Sequence, residues 1–361
     1  MRNSTPPIGS GEIPFLLPAA AGACDTPRGR AMAAFLDRCG WAGFEPVPLA
    51  GDASFRRYYR LCGGDRRAVL MDAPSPQEDV APYIAVAALL RRLGLSAPEV
   101  FSEDRSAGFL LIEDFGDDTY TRLLERGANE ELLYTLAVDT LVELQRAVET
   151  DGIPTHLPLY DTARLLAEAA LLVDWYVPAV LGARLPGPER DKYLAAWRAV
   201  LPDAALPSDT LVLRDFHVDN LMLLSGRRGV QSCGLLDFQD AVRGPPSYDL
   251  VSLLEDARRD VPVTLREAMT DRLIAAFPAL ERSAFLRSAA IVAAQRNCKI
   301  LGIFTRLWKR DGKPAYLVHI PRVWRLLEEE LRHPALGPVA QWLDRHLPQW
   351  ARRIPMTQAM A

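Results

Sequence analysis

Apolar positions along this chain follow two different rhythms. Up to residue 112 they fall mostly in short runs of strand length, at 56–61, 66–71, 99–101 and 108–112, with Gly63-Gly64 between the first two. Pro46-Val47-Pro48-Leu49 leads into the first run through Gly51-Asp52-Ala53-Ser54-Phe55, which reads as strand, small-residue turn and strand. Two helices interrupt this half, one over 28–39 and a strongly apolar one over 79–93 with Asp79 at its N-cap. Beyond residue 117 the spacing becomes helical. Residues 130–148 carry Leu133, Leu136, Ala137, Leu141 and Leu144 on one stripe. Further helices are predicted over 161–181, interrupted at Pro178, and over 188–201, 263–276, 284–308, 316–332 and 336–347. The order of elements predicts an α+β chain with a small sheet-bearing half and a larger helical one.

Inside the helical half one segment breaks the rhythm. Leu211-Val212-Leu213 and Leu221-Met222-Leu223-Leu224 are two strand-like runs around the polar centre Arg214-Asp215-Phe216-His217-Val218-Asp219-Asn220. A third run, Gly234-Leu235-Leu236, ends in Asp237. Three buried strands would present Asp215, Asn220 and Asp237 at their ends, where loops carry chemistry. Phosphoryl transfer needs a placed hydroxyl and neutralised phosphate charge more than covalent help from the protein. Asp215 can accept a hydrogen bond from an attacking hydroxyl. Asn220 and Asp237 can give oxygen ligands to Mg²⁺, which completes its shell with water and phosphate. D-x-x-x-x-N followed by a strand-terminal aspartate is the order of the kinase catalytic loop and metal aspartate. For Asp219 and Asp240 ordinary turn or capping roles suffice.

Length and charge narrow the field. The 361 residues suit two domains or one two-lobed fold, and 49% apolar content fills a sizeable core. A net charge of −4 leaves no general footprint for nucleic acid. No stretch approaches the run of about 18 apolar residues that spans a bilayer. The five cysteines, at 24, 39, 62, 233 and 298, are odd in number and scattered. Without C-x-x-C or H-E-x-x-H, neither a disulfide framework nor a zinc site is expected, and a reducing cytoplasm is the expected setting. Residues 13–24 faintly resemble a signal-peptide core, but two prolines interrupt them and only Arg2 precedes them. Residues 1–27 are expected to be a disordered extension, consistent with a start assigned too far upstream.

Other stretches hold candidates with two readings each. The turn at 51–55 can bring backbone N–H groups and the Ser54 hydroxyl to phosphate oxygens, or it is an ordinary hairpin turn. Glu113-Asp114-Phe115-Gly116 spells D-F-G but lies about a hundred residues before Asp215, whereas the metal aspartate must follow the catalytic loop. It is therefore read as the connector between lobes, able to hold adenine by its backbone. Asp249, after Pro245-Pro246-Ser247-Tyr248, can hold the catalytic loop from beneath or cap its own helix. Asp174-Trp175-Tyr176 is core, pocket wall or a sugar-stacking surface. Across 291–325 there are eight Lys or Arg and one acid, Asp311, with Arg296, Lys299, Arg306 and Arg310 near one helical face. That is a solvated cationic face or a site for an anionic ligand.

The segments 215–220, Leu236-Asp237-Phe238 and Gly244-Pro245-Pro246-Ser247-Tyr248-Asp249-Leu250 resemble the core signatures of the aminoglycoside phosphotransferase family. The likeness runs over most of the chain from about residue 32. Residues 51–60, Val69-Leu70-Met71-Asp72-Ala73-Pro74 and Ala294-Gln295-Arg296 through Gly302 resemble a narrower group, the cytosolic anomeric kinases that phosphorylate the C1 hydroxyl of N-acetylmuramate and N-acetylglucosamine in cell-wall recycling. Two departures stand out. Leu213 occupies the place of the family's histidine, and Met71 stands where a phosphate-pairing lysine is usual. One of Arg56, Arg57 and Arg60 is expected to supply that missing charge.

The resemblance implies a protein-kinase-like fold, with an ATP-binding lobe and connector over 28–116 and a catalytic and substrate-binding lobe over 117–361. It implies ATP and Mg²⁺ as cofactors, a small amino sugar as the acceptor, no membrane or nucleic-acid partner, and a monomer. The expected site has Asp215 as catalytic base and Asn220 and Asp237 as metal ligands. Ser54, Phe55, Arg57, Arg60, Glu113 and Phe115 are the expected ATP contacts. Asp174, Trp175, Arg296 and Lys299 are expected to face the sugar. The alternatives are an aminoglycoside or other small-alcohol kinase and a nucleotide-binding pseudokinase scaffold. Polycationic aminoglycosides want an acidic pocket, so the basic 291–325 region favours a sugar bearing a carboxylate if it faces the cleft.

Overall fold

The computed structural model describes residues 26–49, 55–206 and 208–355. Its first half is a five-stranded antiparallel sheet in the order β1-β2-β3-β5-β4. The strands are β1 (Val47–Pro48), β2 (Arg57–Gly63), β3 (Arg66–Asp72), β4 (Val100–Asp104) and β5 (Phe109–Ile112). Alternation explains why β3 and β5 read as unbroken apolar runs. Ala68, Leu70, Phe109 and Leu111 pack under helix α1 (Pro27–Arg38) with Phe35, Leu36 and Trp41. Val69, Met71, Leu110 and Ile112 face the opposite way, toward helix α2 (Ala81–Arg92) and the second half. A strand buried on both faces keeps no polar side, and each leucine so enclosed contributes about 1.5–3 kcal/mol.

Two boundaries differ from expectation. Thr26 and Pro27 belong to α1 rather than to the extension: the Thr26 hydroxyl accepts the Gly29 N–H at 3.0 Å and proline opens the first turn. The Asp79 side chain accepts the Ala81 N–H at 2.9 Å, yet the residue flanking α2 is Val80. Residues 1–25 and the 51–54 part of the small-residue turn, Ser54 included, lie outside the described residues.

The second half is mainly helical: α3 (Tyr120–Glu125), α4 (Glu130–Asp151), α5 (Thr162–Leu171), α6 (Val177–Leu181) and α7 (Gly187–Val200) precede the catalytic strands. These are β6 (Thr210–Val212), β7 (Leu221–Leu223), β8 (Cys233–Leu235) and β9 (Val242–Gly244), paired β6 with β9 and β7 with β8, both antiparallel. Helices α8 (Tyr248–Leu254), α9 (Val263–Ala275), α10 (Arg282–Asp311), α11 (Ile320–Glu330) and α12 (Gly337–His346) follow. The expected 161–181 helix does break, but at a π-helical turn over Leu172–Tyr176 rather than at Pro178. Pro178 sits in the first turn of α6, where its missing N–H costs nothing. The expected 316–332 helix is a 3₁₀ turn, Pro314–His319, followed by α11.

The long helix α10 is the spine of this half. Gln295 Nε2 donates to the Leu165 carbonyl at 2.9 Å, and Gly302 lies so close to α5 that a Cβ there would stand 2.3 Å from the Leu171 carbonyl carbon. Across the two halves, the Leu235 N–H donates to Ser96 O at 2.8 Å and Ser96 Oγ to Gln231 O at 2.7 Å. The β7–β8 hairpin is thereby tied to the sheet-bearing lobe.

Candidate active site

Strand β6 is fully buried and ends where the polar centre begins. Asp249, in the first turn of α8, holds that junction from beneath: its two carboxylate oxygens accept the N–H groups of Leu213 at 2.6 Å and Arg214 at 2.9 Å. Burial pushes its pKa up to about 7 against the pull of those two donors. Of the two sequence readings of Asp249, the geometry is that of the loop support. Ser252, one turn on, donates to the Arg214 carbonyl at 3.2 Å. The backbone then turns sharply. Arg214 takes φ 74°, and the Asp215 N–H closes onto Leu213 O at 3.0 Å.

Asn220 closes the other end. Its Nδ2 donates to the Asp215 carbonyl at 2.9 Å and faces His217 Nε2 at 3.4 Å. Since only the NH₂ can serve a carbonyl, the Asn220 Oδ1 is turned the other way. The Leu236 N–H donates to the Asn220 carbonyl at 3.0 Å, which sets Asp237 beside Asn220. Asp237 takes φ 54°; it and Arg214 are the non-glycine residues with positive φ among the described residues. Backbone of this kind costs about 1–3 kcal/mol per residue and persists only where the surroundings impose it. Gln239 Nε2 donates to Asp237 Oδ1 at 2.9 Å. Asp215, Asn220 and Asp237 are thus gathered at one end of the β7–β8 hairpin.

The Asp215 carboxylate has no hydrogen-bond or ion-pair partner among the described residues. Burial would raise its pKa, but Lys299, His217, Arg214 and Arg296 together hold it below the usual carboxylate range. It is an ionised acceptor at neutral pH. His217 is buried, its pKa is pushed down by that burial, and it is neutral there. As to a metal, no group of three or more His, Cys, Asp or Glu among the described residues could cage one. Asp237 and the Asn220 amide oxygen are two candidate oxygen donors at this end of the hairpin. That suits Mg²⁺, which takes its remaining ligands from water and phosphate.

The connector is built rather than loose. Glu113 donates its N–H to Glu99 O at 2.8 Å, and its carboxylate pairs with Arg227 and, at 3.7 Å, with Arg91. The Phe115 ring covers Gly234, where a Cβ would come within 2.8 Å of it, and lies 5.2 Å under the Arg227 guanidinium. Arg60 joins β2 to this segment. Its guanidinium donates to Asp114 at 2.9 Å, Asp117 at 2.9 Å and the Gly116 carbonyl at 2.8 Å. Arg57 is exposed at the start of β2, and Phe55 is exposed before it.

The expected sugar-facing residues divide differently from the sequence reading. Asp174 lies in the π-helical turn and pairs with Arg190 of α7 at 2.8 and 2.9 Å, half-exposed; its neighbour Trp175 is only partly buried. The third residue, Tyr176, is core, its hydroxyl taking part in bonds with Trp324, Ala351 and Arg353. None of these contacts reaches the catalytic loop. Arg296 and Lys299 do approach it, but from below and already partnered. Arg296 donates to Ser252 Oγ at 2.9 Å and the Glu255 carbonyl at 3.3 Å. Lys299 stands 3.2 Å from Glu168, whose other oxygen receives Arg214 at 2.7 Å. Further along, Arg310 pairs with Asp311, and Arg322 and Arg325 share Asp260. The basic stretch is thus divided: Lys299, Arg322 and Arg325 pair with acids of other elements, Arg296 is held by Ser252 and a carbonyl, and Lys309 and Arg310 lie at the exposed end of α10.

Glu168 had no signal in the sequence, since it sits in a helix among ordinary residues. With Lys299 and Arg214 on either side and the Tyr160 hydroxyl donating to it, its pKa is held down despite burial. Arg56 is partly buried beside Asp237 and Glu78, at 3.5 and 3.6 Å.

A model of the phosphotransferase enzyme family matches residues 45–286, two thirds of the chain and all of the catalytic strands. The chain belongs to that family. Its relatives include two proteins named N-acetylmuramate/N-acetylglucosamine kinase. The one from Caulobacter vibrioides is 36% identical, covering 90% of this chain and 98% of its own; the one from Pseudomonas aeruginosa is 38% identical, covering 91% and 99%. Among solved structures, a GDP complex of aminoglycoside 2'-phosphotransferase-IIIa superposes with TM-score 0.58 at 17% identity, over 84% of this chain and 98% of that one. Choline kinase LicA from Streptococcus pneumoniae gives 0.57 at 12% identity, over 84% and 100%. At such identities these two speak for the kinase-like fold alone. This phosphotransferase keeps the family's loop while lacking its histidine and its lysine: Leu213 is buried in β6's continuation, and Met71 is buried in the apolar layer under the sheet.

Proposed function

We propose that this phosphotransferase passes the γ-phosphoryl group of ATP to the anomeric C1 hydroxyl of N-acetylmuramate or N-acetylglucosamine. The observation that carries the reading is the ionised Asp215 carboxylate, without a protein partner among the described residues, on a loop whose backbone is held by Asp249 at Leu213 and Arg214 and by Asn220 at the Asp215 carbonyl. The amino-sugar acceptor rests on the relatives that share more than nine tenths of their length with this chain.

In this mechanism Asp215 accepts the hydrogen bond of the sugar hydroxyl and takes its proton as phosphorus is attacked. Asn220 and Asp237 hold Mg²⁺, which when bound neutralises phosphate charge. Glu113 and Phe115 line the connector where adenine lies. Arg296 and Lys299, the cations of the basic stretch that approach the loop, are already partnered and do not by themselves select a carboxylate-bearing sugar, so N-acetylmuramate and N-acetylglucosamine stand equal. The reading keeps the enzyme a cytoplasmic monomer, in keeping with its use of ATP.

The test is a coupled ADP-release assay with N-acetylmuramate, N-acetylglucosamine and kanamycin, followed by ³¹P NMR of the product. An anomeric phosphate from either amino sugar, and none from kanamycin, is expected. Asp215→Ala should lose turnover by about 10²-fold or more while keeping ATP binding. Turnover with kanamycin alone would replace the acceptor, ATP binding without turnover on any of the three would favour a scaffold, and an active Asp215→Ala would remove the base.

A further inference from the structure

Kinases of this architecture pair a lysine on the third strand with a glutamate on the following helix, and the pair engages the nucleotide phosphates. Here the third-strand position, Met71, is 1% exposed within an apolar cluster that includes Tyr83 and Phe238. A charge there would have no place. The register of the sheet shows where the charge has gone. Met71 is directly opposite Tyr58, and Arg57 is opposite Asp72. Arg56 therefore stands one residue beyond the paired end of β2, on the margin that faces the catalytic hairpin.

We propose that Arg56, held by Glu78, is the phosphate-binding cation of this enzyme, transferred from the third strand to the second. Its guanidinium bridges two carboxylates from different halves of the molecule: Nε lies 3.6 Å from Glu78 Oε2 and Nη2 lies 3.5 Å from Asp237 Oδ1. Glu78 belongs to the turn that opens α2, anchored by its N–H on Pro74 O at 3.1 Å. It thus takes the part of the helix glutamate, while Asp237 is the carboxylate assigned to the metal. A cation within reach of that carboxylate is within reach of the phosphates the metal would bridge, and a guanidinium can meet them with two parallel N–H bonds. The other two arginines considered for this task are placed elsewhere. Arg60 is committed to Asp114, Asp117 and Gly116 O, and Arg57 is exposed. The Arg56 side chain, 11% exposed, is sheltered enough for its charge to act at short range without full screening.

The inference rests on the nucleotide being ATP, and calorimetry separates the two claims. Full-length wild type, Arg56→Ala, Arg56→Lys, Glu78→Gln and, as a charge control on the far part of β3, Arg67→Ala are titrated with ATP, ADP and adenosine in the presence of Mg²⁺. Wild type binding no ATP would fail the functional reading itself. If wild type binds, Arg56→Ala should weaken ATP at least about tenfold, the worth of one lost charge-assisted hydrogen bond, with adenosine unchanged. Arg56→Lys should recover part of the loss, Glu78→Gln should show a smaller loss, and Arg67→Ala should match wild type. ATP affinity within twofold of wild type in Arg56→Ala would overturn the proposal, and so would equal weakening of ATP and adenosine, which marks a general structural defect.

Discussion

Glu168 offers the sharpest test of how the catalytic loop is held. It is the one anion shared by Arg214 and Lys299, at 2.7 and 3.2 Å, and the three side chains are only 14%, 18% and 11% exposed. Glu168→Gln keeps the shape and removes the charge, leaving two buried cations facing a neutral amide. Removing one partner of a buried pair costs about 3–5 kcal/mol, and partial solvent access with a retained amide oxygen argues for about 3. At about 2.1 cal/mol/K per residue, a chain of this size should melt about 4 °C lower. Because the folded-state pKa of Glu168 is depressed, this contribution is complete at neutral pH and disappears only as pH falls through that depressed value. The catalytic effect has a separate signature. With its counter-ion gone, the positive field of Lys299 and Arg214 on Asp215 grows, so the acid limb of the rate profile should move to lower pH. Because Arg214 loses its tether, kcat should fall more than the KM for ATP rises. A melting temperature within 1 °C of wild type together with an unmoved acid limb would refute the reasoning.

Two further outcomes follow from packing and burial. Gly302→Ala places a methyl 2.3 Å from backbone that cannot step aside, so it should cost about 2 kcal/mol or more, read as a melting temperature about 3 °C lower. Glu330 is half-buried beside the buried Glu255, and desolvation with that like charge pushes its pKa well above the usual carboxylate range. A carboxyl raised on folding stabilises the folded state less as it ionises, so wild-type stability should decline from about pH 5 toward pH 9. Glu330→Gln should flatten that decline in chemical denaturation at several pH values, and an unchanged slope would show that Glu330 is not the group responsible.

The part of the site written in the sequence is the part built from strand ends. Asp215, Asn220 and Asp237 each follow or precede a short apolar run, and such runs fix where a loop must emerge. The kinase-like fold was legible through the resemblance carried by 215–220, 236–238 and 244–250, and the two spacings agreed with a sheet-bearing half ahead of a helical one. What stayed hidden depends on distance across the fold. A count of charges over 291–325 cannot reveal that Glu168 and Asp260 lie opposite them. Nor does a helical stripe tell a π-helical turn at 172–176 from regular helix, because the apolar face continues through it with Leu172, Val173 and Tyr176 buried. The break lies at that turn and not at Pro178, since proline at the start of a helix is harmless. Arg56, Arg57 and Arg60 are alike in sequence and differ only in the partners and exposure that the fold gives them.

The left-handed turn at Asp237 sets durability against turnover at a single position. Glycine adopts φ 54° freely, so exchanging the aspartate for it would relax the backbone while deleting the carboxylate assigned to the metal. Any selection for heat resistance alone would drift toward that exchange and enrich sturdy, inert molecules. Engineering of this enzyme must therefore score reaction and melting together, because at residue 237 improvement in one is expected to be loss in the other.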